Sequence, residues 1–125
     1  MPKGENTRKT GEKYEEAAAA FLEKQGYRIR RRNFRCRIGE IDLIADKDGY
    51  LIFIEVKYRR NGKNGSAAMA VSTAKQKKIS RVADYYMMEN GIYQDRKVRF
   101  DVVAIDGEEL HLFEDAFPYM GSVRF

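Results

Sequence analysis

The sequence predicts a single α/β domain over residues 1–125, in which helices flank a mixed central β-sheet in the order αβββαββ. Two segments have apolar residues at helical spacing, five are rich in β-branched or aromatic residues, and glycine-containing turns separate several of them. With 125 residues, of which 43% are hydrophobic, the chain can build one core and is too apolar for a disordered tail.

The first element is predicted as a helix over about residues 11–25, with Thr10 as its N-cap. An alanine run favours the helical state, and a glycine follows the last turn. Glu15 has i, i+3, i+7 spacing with Ala18 and Leu22. We therefore expect this glutamate on or beside the face of the helix that packs inward.

Three strands are expected next, at about residues 27–37, 38–45 and 50–58. Arginines in the first would protect an exposed sheet edge, and the third is apolar enough for the centre of the sheet. The sequence Asp-Lys-Asp-Gly at 46–49 predicts a hairpin turn that pairs Ala45 with Tyr50.

The second half of the chain predicts one helix and two strands. A glycine-rich basic loop follows the third strand, and a long helix is expected over about residues 72–89. Strands are expected at about 98–105 and 110–113, the last of them short.

Composition limits the function classes. No run approaches the roughly 18 apolar residues of a membrane span, and the N-terminus lacks a signal-peptide apolar region, so we expect a cytoplasmic protein with no membrane partner. Cys36 is the single cysteine, which excludes an internal disulfide and leaves no partner cysteine for a zinc site. Residues 1–9 are polar and are expected to fray.

Basic residues are concentrated in two runs. The net charge is +5, yet residues 26–37 contain six arginines and no acid, and a second run lies on the long helix. Such clusters suit a polyanion, because neutralising phosphates releases counterions. A solvated face that keeps the protein soluble is an equally good explanation of the charges alone. The basic residues predicted to contact nucleic acid are Arg30, Arg32, Arg35, Arg59, Lys75 and Lys78.

Acidic residues also occur in the two most apolar strands. Side chains alternate along a strand, so Glu55 and Lys57 share a face about 6.6 Å apart. The predicted turn would set Asp42 opposite about Phe53, one diagonal step from Glu55, and a small bulge would bring the carboxylates closer. Two carboxylates that close repel, and burying them costs several kcal/mol without compensation.

A hard divalent cation is the natural compensation, since Mg²⁺ prefers carboxylate, carbonyl and water oxygens. Asp42, Glu55 and the main-chain carbonyl of Val56 are the predicted ligands, and Mn²⁺ could substitute. Lys57 would orient or deprotonate a metal-bound water or neutralise charge on the phosphate. Glu15 would hold a bound water or a second cation. Alternatively, Lys57 simply pairs with either carboxylate, and a bare Glu-x-Lys is common by chance.

The combination of an acid, a hairpin and Glu-x-Lys resembles the signature of the PD-(D/E)XK nuclease superfamily. Asp42 is followed after twelve residues by Glu55-Val56-Lys57. The segments TGEKYEEAAAAFLEKQGY, RNFRCRIGEIDLIA, FIEVKYR, AKQKKI and RFDVVAID resemble more closely the YraN family of small bacterial proteins described as endonucleases. Proline does not precede Asp42, as the superfamily name would have it; Ile41 stands there instead.

The resemblance implies a restriction-endonuclease-like, three-layer fold, similar to archaeal Holliday-junction resolvases. It implies that Asp42 and Glu55 bind Mg²⁺, that Lys57 is the catalytic lysine, and that Glu15 is the acid on the first helix. It also implies that Gln76 lies near the scissile phosphate.

The sequence thus favours a Mg²⁺-dependent endonuclease acting on DNA, in a structured or branched form. Two alternatives remain: a nucleic-acid-binding module without turnover, and a scaffold whose acids are only ion-paired. DNA is favoured over RNA without being fixed by any residue. A homodimer is one way to cut both strands of a duplex.

Overall fold

The computed structural model describes residues 3–59, 71–92 and 95–120; over 3–10 and at Arg59 only the backbone is described. Within these ranges lie the helices and strands α1 (Lys3–Lys24), β1 (Arg28–Arg35), β2 (Glu40–Lys47), β3 (Tyr50–Arg59), α2 (Thr73–Glu89), β4 (Val98–Asp106) and β5 (Glu109–Phe117). The predicted order αβββαββ is confirmed. No helix in the described residues is long and apolar enough to cross a membrane.

One mixed sheet forms the middle layer, with its strands in the order β1-β2-β3-β4-β5. β3 and β4 are parallel, and the other neighbours are antiparallel. The parallel pair requires a crossover, and α2 lies on that crossover. Strand alternation sends successive side chains to opposite faces, so each face of the sheet can pack against a helix.

The two helices cover opposite faces. Leu22 of α1 packs in one core cluster with Ile52 and Ile54 of β3, whereas Val82 of α2 packs in the other with Leu51 and Phe53. All six side chains are fully or almost fully buried. The result is a helix–sheet–helix sandwich with the predicted helices on either side.

α2 begins as predicted. Ser72 is its N-cap, with extended backbone and a side-chain oxygen that accepts a hydrogen bond from the Lys75 N–H at 3.2 Å. This bond satisfies one of the unpaired N–H groups of the first turn. The cap fixes the position of Lys75 in the first turn of α2, and the Lys75 side chain belongs to the site described below.

The hairpin between β2 and β3 is tighter than predicted. Lys47 pairs with Tyr50, and the two turn residues Asp48 and Gly49 have φ of 53° and 84°. Positive φ at both positions is typical of a two-residue type I′ turn, which matches the twist of the strands. The predicted pairing of Ala45 with Tyr50 is therefore wrong, and so is the placement of Asp42 opposite Phe53.

Two element boundaries also differ from the prediction. α1 begins at Lys3 rather than near residue 11, because the two lysines, the glutamate and the arginine before Thr10 are good helix formers. Thr10 consequently lies inside the helix; fraying of residues 1–9 stays a prediction. β5 has nine residues rather than four, since a register shift beside Asp115, whose φ is 52°, lets pairing resume at Phe117.

Candidate functional site

The carboxylates of Asp42 and Glu55 meet across β2 and β3. The last regular pair between these strands is Leu43 with Ile54, and one further step sets Asp42 across from Glu55. Directly opposed residues in an antiparallel pair have Cβ atoms about 4.5–5.5 Å apart. The structure therefore brings the two acids together through a hairpin register that differs by two residues from the predicted one.

β2 and β3 stop pairing at this point, although both strands continue. The N–H of Val56 donates to Asp42 Oδ2 at 2.8 Å, so a carboxylate takes the place of a main-chain acceptor. In an antiparallel pair the N–H and C=O of one residue point to the same neighbour. The carbonyl of Val56 is accordingly directed to the side where Asp42 lies.

Glu15 reaches the same cluster from α1. Its carboxylate lies close enough to Asp42 for the charge of Asp42 to raise the pKa of Glu15. The Oε1 atom of Glu15 is buried and has no hydrogen-bond partner within the described structure. Buried carboxylate oxygens nearly always accept a hydrogen bond. This oxygen is therefore available to accept one from a water molecule or to coordinate a cation.

The electrostatics of the three acids are unfavourable when all are ionised. Burial, and then the charge of Asp42, raise the pKa of Glu55 from 4.5 to about 8. The same two causes, in the same order, raise the pKa of Glu15 from 4.5 to about 7. The cluster therefore retains protons at neutral pH unless a positive charge offsets its repulsion.

Lys75 of α2 supplies one such charge. Its Nζ lies 3.2 Å from Glu55 Oε2, and this interaction lowers the pKa of Glu55 against the larger effect of burial. Glu55 is only 7% exposed, whereas the Lys75 side chain is about half exposed. Lys75, predicted to contact phosphate, thus also contacts the candidate metal ligand.

Lys57 lies on the same strand face as Glu55, two residues further along β3. It is half-buried, and its Cα is paired with that of Ala104 in β4. This placement is the one that strand alternation predicted. Its catalytic role stays a prediction.

No group of three or more His, Cys, Asp or Glu side chains in the described ranges is arranged to hold a metal ion by itself. A cation would therefore take at most two carboxylates from the protein, with main-chain and water oxygens completing its shell. Mg²⁺ is commonly bound in this way, because it keeps several waters. Asp42, Glu55 and the Val56 carbonyl fit that donor set.

The arginines of β1 have different surroundings. Arg30 donates to Asp46 at 3.1 Å and to the hydroxyl of Tyr86 at 3.0 Å. Asp46 is four residues from Asp42, or about 13 Å along β2. Arg30 is therefore tied into a contact network away from the acids.

The other arginines predicted to contact phosphate are Arg32, Arg35 and Arg59. Arg32 is exposed. Arg35 is also exposed, and it forms a 3.1 Å ion pair with Glu40. The side chain of Arg59 lies outside the described residues. Phosphate contacts by these arginines stay predictions.

On α2, Gln76 uses its side-chain amide to bond the carbonyl of Val71 at 2.8 Å, so the amide is engaged at the start of the helix. Lys78 is exposed, and its aliphatic stem lies beside Gly39, where an added Cβ would be 3.6 Å away. The basic face of α2 thus adjoins the chain just before β2.

Asn33 was missed by sequence reasoning. The pairs Arg32–Leu43 and Phe34–Ile41 flank it, so it lies across from Asp42 on the other side of β2. Its side chain acts to lower the pKa of Glu15, against the larger effect of burial. An asparagine inside an arginine-rich strand was the available signal, because Asn tolerates backbone conformations that strands otherwise exclude.

Asp101 is a buried acid outside this cluster and is fully paired. It is buried and accepts from Tyr27 Oη at 2.6 Å, from Arg99 Nε at 2.9 Å and from the Asp115 N–H at 2.9 Å. The carboxylate links β4 to β5 and to Tyr27, which lies between α1 and β1.

Comparisons with known proteins identify the family. Residues 14–105, which contain Glu15, Asp42, Glu55 and Lys57, match the uncharacterised protein family UPF0102. A UPF0102 protein of Lachnoclostridium phytofermentans is 45% identical over 108 residues, covering 86% of this chain and 92% of the relative. Another, of Fusobacterium nucleatum subsp. nucleatum, is 45% identical over 105 residues, covering 84% and 87%. One of Symbiobacterium thermophilum is 47% identical over 100 residues, covering 80% and 84%. The chain belongs to the UPF0102 family.

Proposed function

We propose that this protein is a divalent-cation-dependent endonuclease that hydrolyses phosphodiester bonds in DNA, with structured or branched DNA as its substrate. One observation carries the proposal: Asp42 and Glu55 oppose each other where β2 and β3 separate, with Lys57 two residues beyond Glu55 on the same face. The resemblance to PD-(D/E)XK nucleases and to the YraN family supports the same reading and suggests a restriction-endonuclease-like fold.

The electrostatics of the cluster argue for a functional rather than a structural purpose. Crowded carboxylates do not stabilise a sheet, since each buried charge costs free energy of folding unless it is paired. The raised pKa of Glu15 and Glu55 reflects that cost. Titratable groups perturbed by burial and by one another are typical of catalytic sites. Oε1 of Glu15, which has no hydrogen-bond partner among the described residues, adds a further oxygen for coordinating a cation or accepting a hydrogen bond from water.

The residues that would hold Mg²⁺ are Asp42, Glu55 and, through its carbonyl, Val56. When bound, the ion would lower the pKa of a coordinated water and stabilise negative charge on a phosphate oxygen. Lys57 would orient the attacking water or neutralise charge on the phosphate, because its side chain leaves β3 on the same face as that of Glu55. Glu15 would accept a hydrogen bond from water in the cluster.

The nearby basic residues favour a nucleic-acid substrate. Lys78 adjoins Gly39, and Arg35 pairs with Glu40, so the basic segments of α2 and β1 approach the start of β2, two residues from Asp42. Phosphates held there would lie close to the acids. Such contacts position a backbone without reading its sequence, so selectivity would come from the shape of the DNA.

One observation favours a second candidate, a nucleic-acid-binding module without turnover. Lys75 already neutralises part of the charge on Glu55 at 3.2 Å. If that ion pair persists when DNA binds, the cluster needs no metal. The two candidates differ in whether a divalent cation displaces Lys75.

The test uses end-labelled single-stranded, duplex, flapped and four-way-junction DNA, with one RNA, in Mg²⁺ and then Mn²⁺. Wild type is compared with Lys57→Ala and with Lys24→Ala, a control at the end of α1 about 13 Å along the helix from Glu15. We expect cleavage by wild type and by the control and none by Lys57→Ala, which should still bind DNA. Binding of the panel without cleavage by wild type would refute the nuclease and favour the binding module.

A further inference from the structure

Two tyrosines stack on each other between α1 and β3. The rings of Tyr14 and Tyr58 have centroids 4.0 Å apart and planes inclined by 14°. Tyr14 immediately precedes Glu15 on α1, and Tyr58 immediately follows Lys57 on β3. We propose that this pair, called the tyrosine platform below, stacks one unpaired nucleobase of the DNA substrate. The inference rests on the proposed function and specifies the feature of the DNA that the site recognises.

The outer ring of the tyrosine platform lies at the surface. Tyr14 is partly buried and packs against the core cluster on the α1 side of the sheet. Tyr58 belongs to neither core cluster of the described residues, and it is 38% exposed. Because Tyr14 covers one face of the Tyr58 ring, the exposed part of the ring is its other face and its edge. That face can accept a further stacking partner.

The position of Tyr58 in the sheet brings it near the carboxylates. Regular pairing between β2 and β3 ends at Leu43 with Ile54, whereas β3 continues beside β4, where Tyr58 pairs with Ile105. Tyr58 therefore lies on the stretch of β3 that extends past β2. It is three residues from Glu55, or about 10 Å along the strand. About three stacked nucleotides of a DNA strand span that distance, at roughly 3.4 Å each.

The tyrosine platform and Lys57 lie on opposite faces of the sheet, because alternation sends Lys57 to the α2 face and Tyr58 to the α1 face. Glu15 approaches Asp42 from α1, the helix that also carries Tyr14. The carboxylate cluster is therefore reached from both faces at the point where β2 and β3 separate. A DNA strand with a phosphate at the carboxylates could direct a neighbouring base to the α1 side.

A nucleobase is the occupant that the surroundings favour. Bases stack on aromatic side chains, and the attached phosphates suit a chain with a net charge of +5 whose basic segments approach the start of β2. In a fully paired duplex the neighbouring bases cover both faces of each base, so only an unpaired or extruded base can stack on Tyr58. The tyrosine platform therefore favours DNA with unpaired bases near the cut, such as a flap or a bulge.

A purely structural explanation is that Tyr58 only covers Tyr14 at the edge of the core. Three variants separate the explanations. Tyr58→Leu keeps an apolar side chain over Tyr14 and removes the ring, whereas Tyr58→Trp keeps a ring that can stack. The matched control, Tyr50→Leu, makes the same change at a partly buried tyrosine on the same face of β3, about 26 Å away along the strand.

The experiment measures the binding of a single-stranded oligothymidylate and of an abasic oligomer of the same length and charge, by fluorescence anisotropy in EDTA. Tyr58→Leu should bind the oligothymidylate about 5- to 100-fold more weakly than wild type, the range for stacking one base, and the abasic oligomer equally well. Tyr50→Leu should bind both like wild type. The natural chain has no tryptophan, so the emission of Tyr58→Trp reports on this position alone. We expect the oligothymidylate to quench it and the abasic oligomer to leave it unchanged.

Several results would overturn the tyrosine platform: wild-type affinity of Tyr58→Leu for the oligothymidylate, an equal loss for both oligomers, the same loss in Tyr50→Leu, no quenching in Tyr58→Trp, or no binding of either oligomer by wild type. These measurements need no divalent cation and no cleavage. If the expected results hold and wild type cleaves none of the DNA panel, the nuclease is refuted and the tyrosine platform stands. If wild type cleaves DNA but Tyr58→Leu binds both oligomers normally, the platform alone is refuted.

Discussion

Replacing Glu55 with glutamine should stabilise the metal-free protein at neutral pH. The substitution keeps the size and polarity of the side chain and removes its charge. Glu55 is 7% exposed, and burial, followed by the charge of Asp42, raises its pKa from 4.5 to about 8. Ionising it in the folded state is therefore unfavourable, whereas glutamine carries no such cost.

The size of the effect follows from proton linkage. Because folding raises the pKa of Glu55, the protonated Glu55 side chain contributes its full stabilisation of the folded protein below pH 4.5. This contribution is lost as pH rises towards 8. At about 1.4 kcal/mol per pKa unit, the loss between pH 4.5 and 7.5 is at most about 4 kcal/mol. The titration of Glu55 is linked to that of a neighbouring group, so we expect the single substitution to recover about 2 kcal/mol. For a chain of this length that is roughly 6–10 °C in Tm.

The assay is thermal unfolding in EDTA from pH 4.5 to 8, with Glu23→Gln as control because Glu23 is an exposed acid of α1. We expect Glu55→Gln to exceed wild type in Tm at pH 7.5 and to match it at pH 4.5. Adding Mg²⁺ should raise the Tm of wild type and leave Glu55→Gln unchanged, since a ligand stabilises only the state that binds it. If Glu55→Gln is no more stable than wild type at pH 7.5, repulsion between the carboxylates is refuted, and a permanent ion pair between Glu55 and Lys75 is favoured.

Two further predictions concern the ion pairs around the site and beneath it. Lys75→Met removes the cation that competes for Glu55, so Mg²⁺ affinity measured by calorimetry should increase while DNA affinity measured by fluorescence anisotropy falls; unchanged Mg²⁺ affinity would contradict the competition. Asp101→Ala leaves Tyr27 and Arg99 without their buried acceptor and should cost about 3–5 kcal/mol in chemical denaturation. Loss of stability below 1 kcal/mol, on the order of an exposed pair, would contradict that structural role.

Residue patterns were sufficient for the element order and for the faces on which the residues of β3 lie. Alternation placed Glu55 and Lys57 together on β3, and Ser72 marked the start of α2. These features depend on neighbours two to four positions apart, where backbone geometry dictates side-chain direction. They could therefore be predicted without knowing how the layers pack.

The pairing register could not be obtained from the same patterns. A turn of two residues and a turn of four both suit the sequence at 46–49, and only φ at Asp48 and Gly49 distinguishes them. Shifting a register by an even number of residues preserves the buried faces, so hydrophobicity gives no warning. The consequence was large, because the shorter turn brings Asp42 directly opposite Glu55.

The interactions of Asn33 and Lys75 were beyond sequence reasoning for a different reason. Asn33 acts on the pKa of a side chain of α1, and Lys75 contacts one of β3, so both interactions join separate layers. Distances between layers depend on the packing of the whole core. A strand pattern alone could not show that a basic helix residue predicted to hold phosphate lies 3.2 Å from Glu55.

The most direct measurement of the proposed cation site is calorimetric titration of the metal-free protein with Mn²⁺, using wild type and Asp42→Asn. Asp42 is the right position to change, because it contacts the Val56 N–H and lies beside both Glu15 and Glu55. We predict saturable binding to wild type that is lost in Asp42→Asn, while DNA binding persists in both. Equal Mn²⁺ binding by the two proteins, or none by wild type, would contradict a metal site at these carboxylates.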